Sequence, residues 1–117
     1  MTGTPFSATA RSSGTGPVVT VTGELDVATA PRLRAEIGGA PLGSGQLLVI
    51  DLAGVTFCDS SGISTLIAAR NVAEAAGAGI ALVAVPARLS RTFGLIGLAD
   101  FFPTYPSAEA AIADLGN

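Results

Sequence analysis

The 117-residue sequence has no histidine, no lysine and a single cysteine, and charged residues make up only 13% of it. Each shortage removes a class of chemistry. Without histidine or lysine, no ordinary base is present to activate a serine, so hydrolysis of the Ser-His-Asp or Ser-Lys type is excluded. Asp59-Ser60-Ser61-Gly62 is not a Gly-x-Ser-x-Gly elbow either. The lone thiol, Cys58, has no partner for an internal disulfide and no histidine to complete a metal-ligand set, which fits a reducing compartment and implies no metal and no cofactor. The glycines of residues 38–44 are spaced as in a phosphate-binding loop, but the required lysine is missing and a strand follows. Gly77-Ala78-Gly79 lacks the third glycine of a dinucleotide fingerprint and also precedes a strand. The six arginines are scattered and the formal charge is -3, so the clustered positive charge that holds nucleic acid is absent.

Long apolar runs are missing too. The longest, residues 80–85, falls far short of the roughly 20 residues that cross a bilayer as a helix, so no membrane insertion is expected. Residues 1–16 are rich in Thr, Ser and Gly without the charged-then-apolar order of a secretory signal, so the expected location is the cytoplasm. What is abundant is core material: 49% of residues are hydrophobic, enough for one compact domain over residues 1–117, with residues 1–4 expected to be flexible.

The periodicities alternate between strand and helix. Phe6, Ala8 and Ala10, then Val19 and Val21, alternate with polar residues as two half-buried strands, joined by a Gly/Ser-rich hairpin loop at residues 12–17. Ala30, Leu33 and Ile37 mark one face of a helix with Thr29 as its cap and Pro31 in its first turn, ended by Gly38 and Gly39. Leu47-Leu48-Val49-Ile50, bounded by Asp51, reads as a strand covered on both faces at the centre of the sheet. A second helix begins at Asp59-Ser60-Ser61 and ends near Ala76, and residues 80–85 supply another buried strand. Leu89, Phe93 and Ile96 share a face of a third helix after Pro86. Phe101-Phe102 reads as a short edge strand, and Ser107 caps a last helix with Ala108, Ile112 and Leu115 inward. The expected fold is α/β: a mixed sheet of four to five strands flanked by about four helices.

The segment from Asp51 to Ile63 carries the most chemistry, because it runs from a buried strand through a short loop into a helix whose entrance holds two hydroxyls. Backbone N–H groups at a helix start lack intrahelical partners and the dipole there is positive, so a phosphate on serine would meet donors and a favourable field. The same residues also read as an ordinary N-cap. Cys58, in an apolar setting, reads as a packed inert thiol. Gly23-Glu24-Leu25-Asp26 reads equally as a plain strand-to-helix turn in which Asp26 satisfies backbone donors.

Taken together, Val21-Thr22-Gly23-Glu24-Leu25-Asp26 before an Ala-Pro helix start, Phe57-Cys58-Asp59-Ser60-Ser61-Gly62-Ile63, and Leu95-Ile96-Gly97-Leu98 resemble the anti-sigma factor antagonist (STAS domain) family over nearly the whole chain. The resemblance implies the STAS fold and a regulatory protein that is not an enzyme. It implies that Ser60, with Ser61 as the alternative, receives phosphate from an anti-sigma factor that is itself a serine kinase. The unmodified form would hold that kinase and free a sigma factor, and a serine phosphatase would reset the switch. Asp59 would position the loop, Gly62 would allow close backbone approach, and Glu24 and Asp26 would form an adjacent contact with the kinase. Ser64 departs from the glycine that many members of the family have there. Oligomeric state is left open, a weak homodimer being one option. The alternative function is a regulatory or docking subunit of a membrane transporter, which uses the same fold.

Overall fold

The computed structural model describes residues 4–115, so most of the N-terminal stretch expected to be flexible lies outside the described residues. The elements are β1 (Ser7–Arg11), β2 (Val18–Leu25), α1 (Ala30–Gly39), β3 (Leu47–Cys58), α2 (Ser60–Ala75), β4 (Gly79–Val83), α3 (Ala87–Leu95), β5 (Thr104–Tyr105) and α4 (Ala108–Leu115). The five strands form one sheet in the order β1-β2-β3-β4-β5, with β1 antiparallel to β2 and all other pairs parallel. Among the described residues no helix is long and apolar enough to cross a membrane.

Each parallel connection steps one strand further in the same direction, and crossovers of one hand then deliver their helices to one face. The core follows that rule. Leu48, Ile50 and Leu52 of β3 pack with Leu33 and Ile37 of α1, Leu66 and Ala73 of α2, and Leu89 and Phe93 of α3. The intervening Leu47 and Val49 face the opposite way, where Val18, Ala81, Val83 and Ala111 of α4 cover them. Alternation with burial on both faces is why this strand reads as an unbroken apolar run.

Several local readings change in the structure. β3 does not stop at Asp51 but runs to Cys58, because Thr22, Gly23, Glu24 and Leu25 continue to pair with it through two register shifts. The expected loop before α2 thereby shrinks to Asp59. Thr29 is not a side-chain cap of α1; its hydroxyl is turned back to the Glu24 carbonyl. The edge strand is Thr104–Tyr105 instead of Phe101-Phe102, since Phe102 is drawn into the core against Phe93, ring centroids 5.8 Å apart. Ile96 lies beyond the end of α3 and is exposed, leaving Leu89 and Phe93 as that helix's buried residues. In α4 the fully inward residue is Ala111. Ala108 and Ile112 are half-buried beside it and Leu115 is exposed, as expected for a short helix lying on a sheet already filled by valines. Ser107 does cap α4, its hydroxyl accepting from the Ala110 N–H at 3.1 Å.

Candidate functional site

The carboxyl ends of β2 and β3 lie side by side, with Glu24 opposite Phe57 and Leu25 opposite Cys58. Both strands then turn directly into helices, so the starts of α1 and α2 emerge at one end of the sheet, where parallel α/β sheets gather their functional groups. The Asp59 N–H donates to the Leu25 carbonyl at 3.2 Å and ties the two turns together. That bond brings the Glu24–Asp26 segment next to Asp59, Ser60 and Ser61.

Asp59 is the N-cap of α2. Its Oδ1 accepts from the N–H groups of Ser61 at 2.8 Å and Gly62 at 3.1 Å. Two of the donors that a phosphate was expected to use are thus already held by a carboxylate, which corrects the expectation of a ready-made phosphate cradle. A phosphate at this entrance would stand in solvent beside a fixed negative charge. Ser60 is exposed and Ser61 half-buried. The Ser61 carbonyl accepts from the hydroxyl of Thr65 one turn on, at 3.1 Å; Thr65 is buried against α1, with the Arg34 guanidinium at 3.5 Å. Residues four apart share a helix face, so Ser61 belongs to the side turned toward α1, while Ser60 shares the solvent face with exposed Ser64.

Gly62 is buried, and the space around it leaves no choice of residue. A Cβ there would lie 2.6 Å from Cys58 Sγ, 2.8 Å from Leu25 Cγ and 2.9 Å from the Leu25 carbonyl oxygen. The first turn of α2 can sit on the strand ends only because this side chain is missing. Cys58 itself is largely buried. Burial first and the neighbouring Asp59 carboxylate second push its thiol up to about 11, as expected of an unreactive packed sulfur.

Glu24 and Asp26 divide their work. Asp26 Oδ1 accepts from the Ala28 N–H at 3.0 Å and the Thr29 N–H at 3.1 Å, while the Thr29 hydroxyl accepts from the Asp26 N–H at 2.9 Å and donates to the Glu24 carbonyl at 2.7 Å. Asp26 therefore builds the turn, as the plainer reading of its motif had it. Glu24 projects from the strand end and is exposed. Two apolar neighbours went unnoticed in the sequence: Val27 is 73% exposed in the same turn and Phe57 47% exposed on the last turn-facing stretch of β3. An aromatic in an apolar run gives no sign of exposure until the strand is known to extend past its partner.

Among the described residues no group of three potential metal ligands exists, and a depression of about 600 Å³ lies at the opposite end of the sheet beside Leu47, Gly79 and Ala73. The end of the sheet thus presents an exposed acid, Glu24, an exposed hydroxyl, Ser60, and two exposed apolar side chains, Val27 and Phe57.

The family described as "Mlab, STAS domain" matches residues 8–104. The chain is 31% identical over 80 residues to an anti-sigma-B factor antagonist of Listeria monocytogenes, covering 68% of this chain and 70% of the relative. It is 30% identical over 95 residues to the anti-sigma-B factor antagonist of Bacillus subtilis, covering 80% and 85%. The crystal structure of an anti-sigma factor antagonist from Mycobacterium paratuberculosis superposes with a TM-score of 0.79 at 30% identity, over 97% of this chain and 96% of that one. The chain belongs to the STAS domain family.

Proposed function

We propose that this chain is an anti-sigma factor antagonist controlled by phosphorylation of Ser60. The observation that carries the reading is an exposed hydroxyl at the first residue of α2, on a docking face shared with Glu24, Val27 and Phe57, in a chain about 30% identical to named antagonists. The unmodified protein binds an anti-sigma factor that is a serine kinase, and so releases a sigma factor in the cytoplasm. It acts by occupancy, without turnover of its own.

The off-switch follows from the local electrostatics. Phosphate adds about -1.5 to -2 charges. Because Asp59 already occupies the nearest helix donors, that charge is not neutralised within the chain and must face the docked partner. Like charges brought together at an interface cost several kcal/mol, and about 2.7 kcal/mol already corresponds to a hundredfold loss of affinity. A serine phosphatase restores binding by removing the group. Ser61 is the less favourable acceptor, since its side of the helix is turned toward α1.

The test is incubation with the candidate kinase and ATP, followed by peptide mass mapping. One phosphate on Ser60, abolished by Ser60→Ala, is expected. Phosphate elsewhere, or none under conditions where the kinase is active, refutes the switch and leaves a passive docking subunit.

A further inference from the structure

β4 stops pairing with β3 at Asp51 opposite Val83, whereas β3 continues for seven more residues along β2. The second half of β3 therefore has no strand neighbour on its β4 side, and α3 stands off across the gap. What remains is a groove of about 190 Å³ lined by Phe57, Cys58, Pro86, Arg88, Leu89 and Thr92. That is below the roughly 300 Å³ of small-molecule pockets and suits one inserted side chain. Its floor is apolar. Arg88 at its rim is exposed and, among the described residues, makes no ion pair.

Phe57 joins this groove to the switch. It lines the groove, is 47% exposed, sits opposite Glu24 in the strand register and precedes Asp59 and Ser60 by two and three residues. Glu24 adjoins Phe57 across the strand pair and Asp59 and Ser60 follow it along the chain, whereas Arg88 lines the groove from α3. A partner that covers both Ser60 and Phe57 would reach the groove that Phe57 lines, with its Arg88 cation and buried Leu89.

We infer that the groove between β3 and α3 is a second contact site for the partner that docks at Ser60, and that it takes an apolar side chain flanked by a carboxylate from that partner. The inference rests on the antagonist reading above. Interface energy concentrates where an anchor side chain fills a pocket next to a desolvated charge, which gives Phe57 and Arg88 the largest share of it. Phosphorylation acts at the neighbouring acidic side, so the groove sets which partner is held while Ser60 sets when.

The test measures the dissociation constant for the purified anti-sigma factor that the wild-type chain binds, using Phe57→Ala, Arg88→Glu and, as control, Arg91→Glu, which is exposed on the same helix outside the groove. Phe57→Ala and Arg88→Glu should each weaken binding tenfold or more with unchanged melting temperature, and Arg91→Glu should stay within twofold. If the wild type binds and Ser60→Asp weakens it, yet both groove variants remain within twofold, the groove is refuted and the antagonist reading stands. A wild-type chain that binds no anti-sigma factor overturns both.

Discussion

Replacing Gly62 with alanine should destabilise the protein, although alanine is the better helix former. Helix propensity alone favours alanine by about 0.8–1 kcal/mol. Against this, the new methyl would meet Cys58 Sγ at 2.6 Å, Leu25 Cγ at 2.8 Å and the Leu25 carbonyl at 2.9 Å. None of the three yields easily: Leu25 is fully buried, its carbonyl holds the Asp59 N–H, and Cys58 is its register partner on the adjacent strand. Forcing an extra carbon into packed surroundings costs about 1–3 kcal/mol, and three contacts under 3.0 Å put this site at about 2–3 kcal/mol, so a net loss of about 1–2 kcal/mol is expected. With an unfolding entropy of about 2.1 cal/mol/K per residue, that is a fall of about 4–8 °C in Tm. Gly94 in α3 supplies the opposite sign, since a Cβ there meets nothing within 4 Å; Gly94→Ala should raise Tm by about 2–4 °C. Thermal unfolding followed by circular dichroism decides the matter. A Gly62→Ala protein as stable as the wild type, or more so, would show that the first turn of α2 is not pinned against the strand ends.

Asp59→Ala removes the one oxygen that accepts from both N–H groups at the α2 entrance and should cost about 1–2 kcal/mol in urea unfolding, whereas Asp59→Asn, which keeps an oxygen there, should lose less. Asp26→Ala strips two backbone N–H donors of their acceptor and should cost about 1–2 kcal/mol, while Glu24→Ala should leave stability within about 0.5 kcal/mol and instead weaken partner binding. A destabilised Glu24→Ala would contradict this division. Cys58 titrates near about 11 when folded, against its ordinary 9.0. Between those values the unfolded chain has lost a proton that the folded one keeps. Stability should therefore be unaffected by this thiol below pH 9 and fall as pH rises from 9 toward 11, a fall that Cys58→Ser abolishes. Alkylation of the native protein at pH 8 should be correspondingly slow.

The order of elements and the helix entrance that carries Ser60 were legible because they rest on local signals. The apolar run at residues 47–50, the Asp-Ser-Ser-Gly entrance and the glycines at the end of α1 and after α2 each announce themselves within a few residues. What the sequence concealed depends on pairing between distant segments. β3 extends past Asp51 only because β2 stays beside it through two register shifts, and neither strand's composition reveals the shifts. Phe101-Phe102 has the composition of a strand, but Phe102 finds Phe93 and the core, which outweighs its local preference. The exposure of Phe57 and the groove beside α3 follow from where β4 ends, a property of the assembled sheet. The clash that forbids a side chain at Gly62 is likewise made by Leu25, far away in sequence.

The central claim is tested most directly by preparing the full chain with phosphoserine incorporated at position 60 and measuring its affinity for the anti-sigma factor beside that of the unmodified chain. The account predicts a loss of at least about a hundredfold, equivalent to about 2.7 kcal/mol, with the fold and melting temperature of the two forms alike. Equal affinity of the two forms would contradict it.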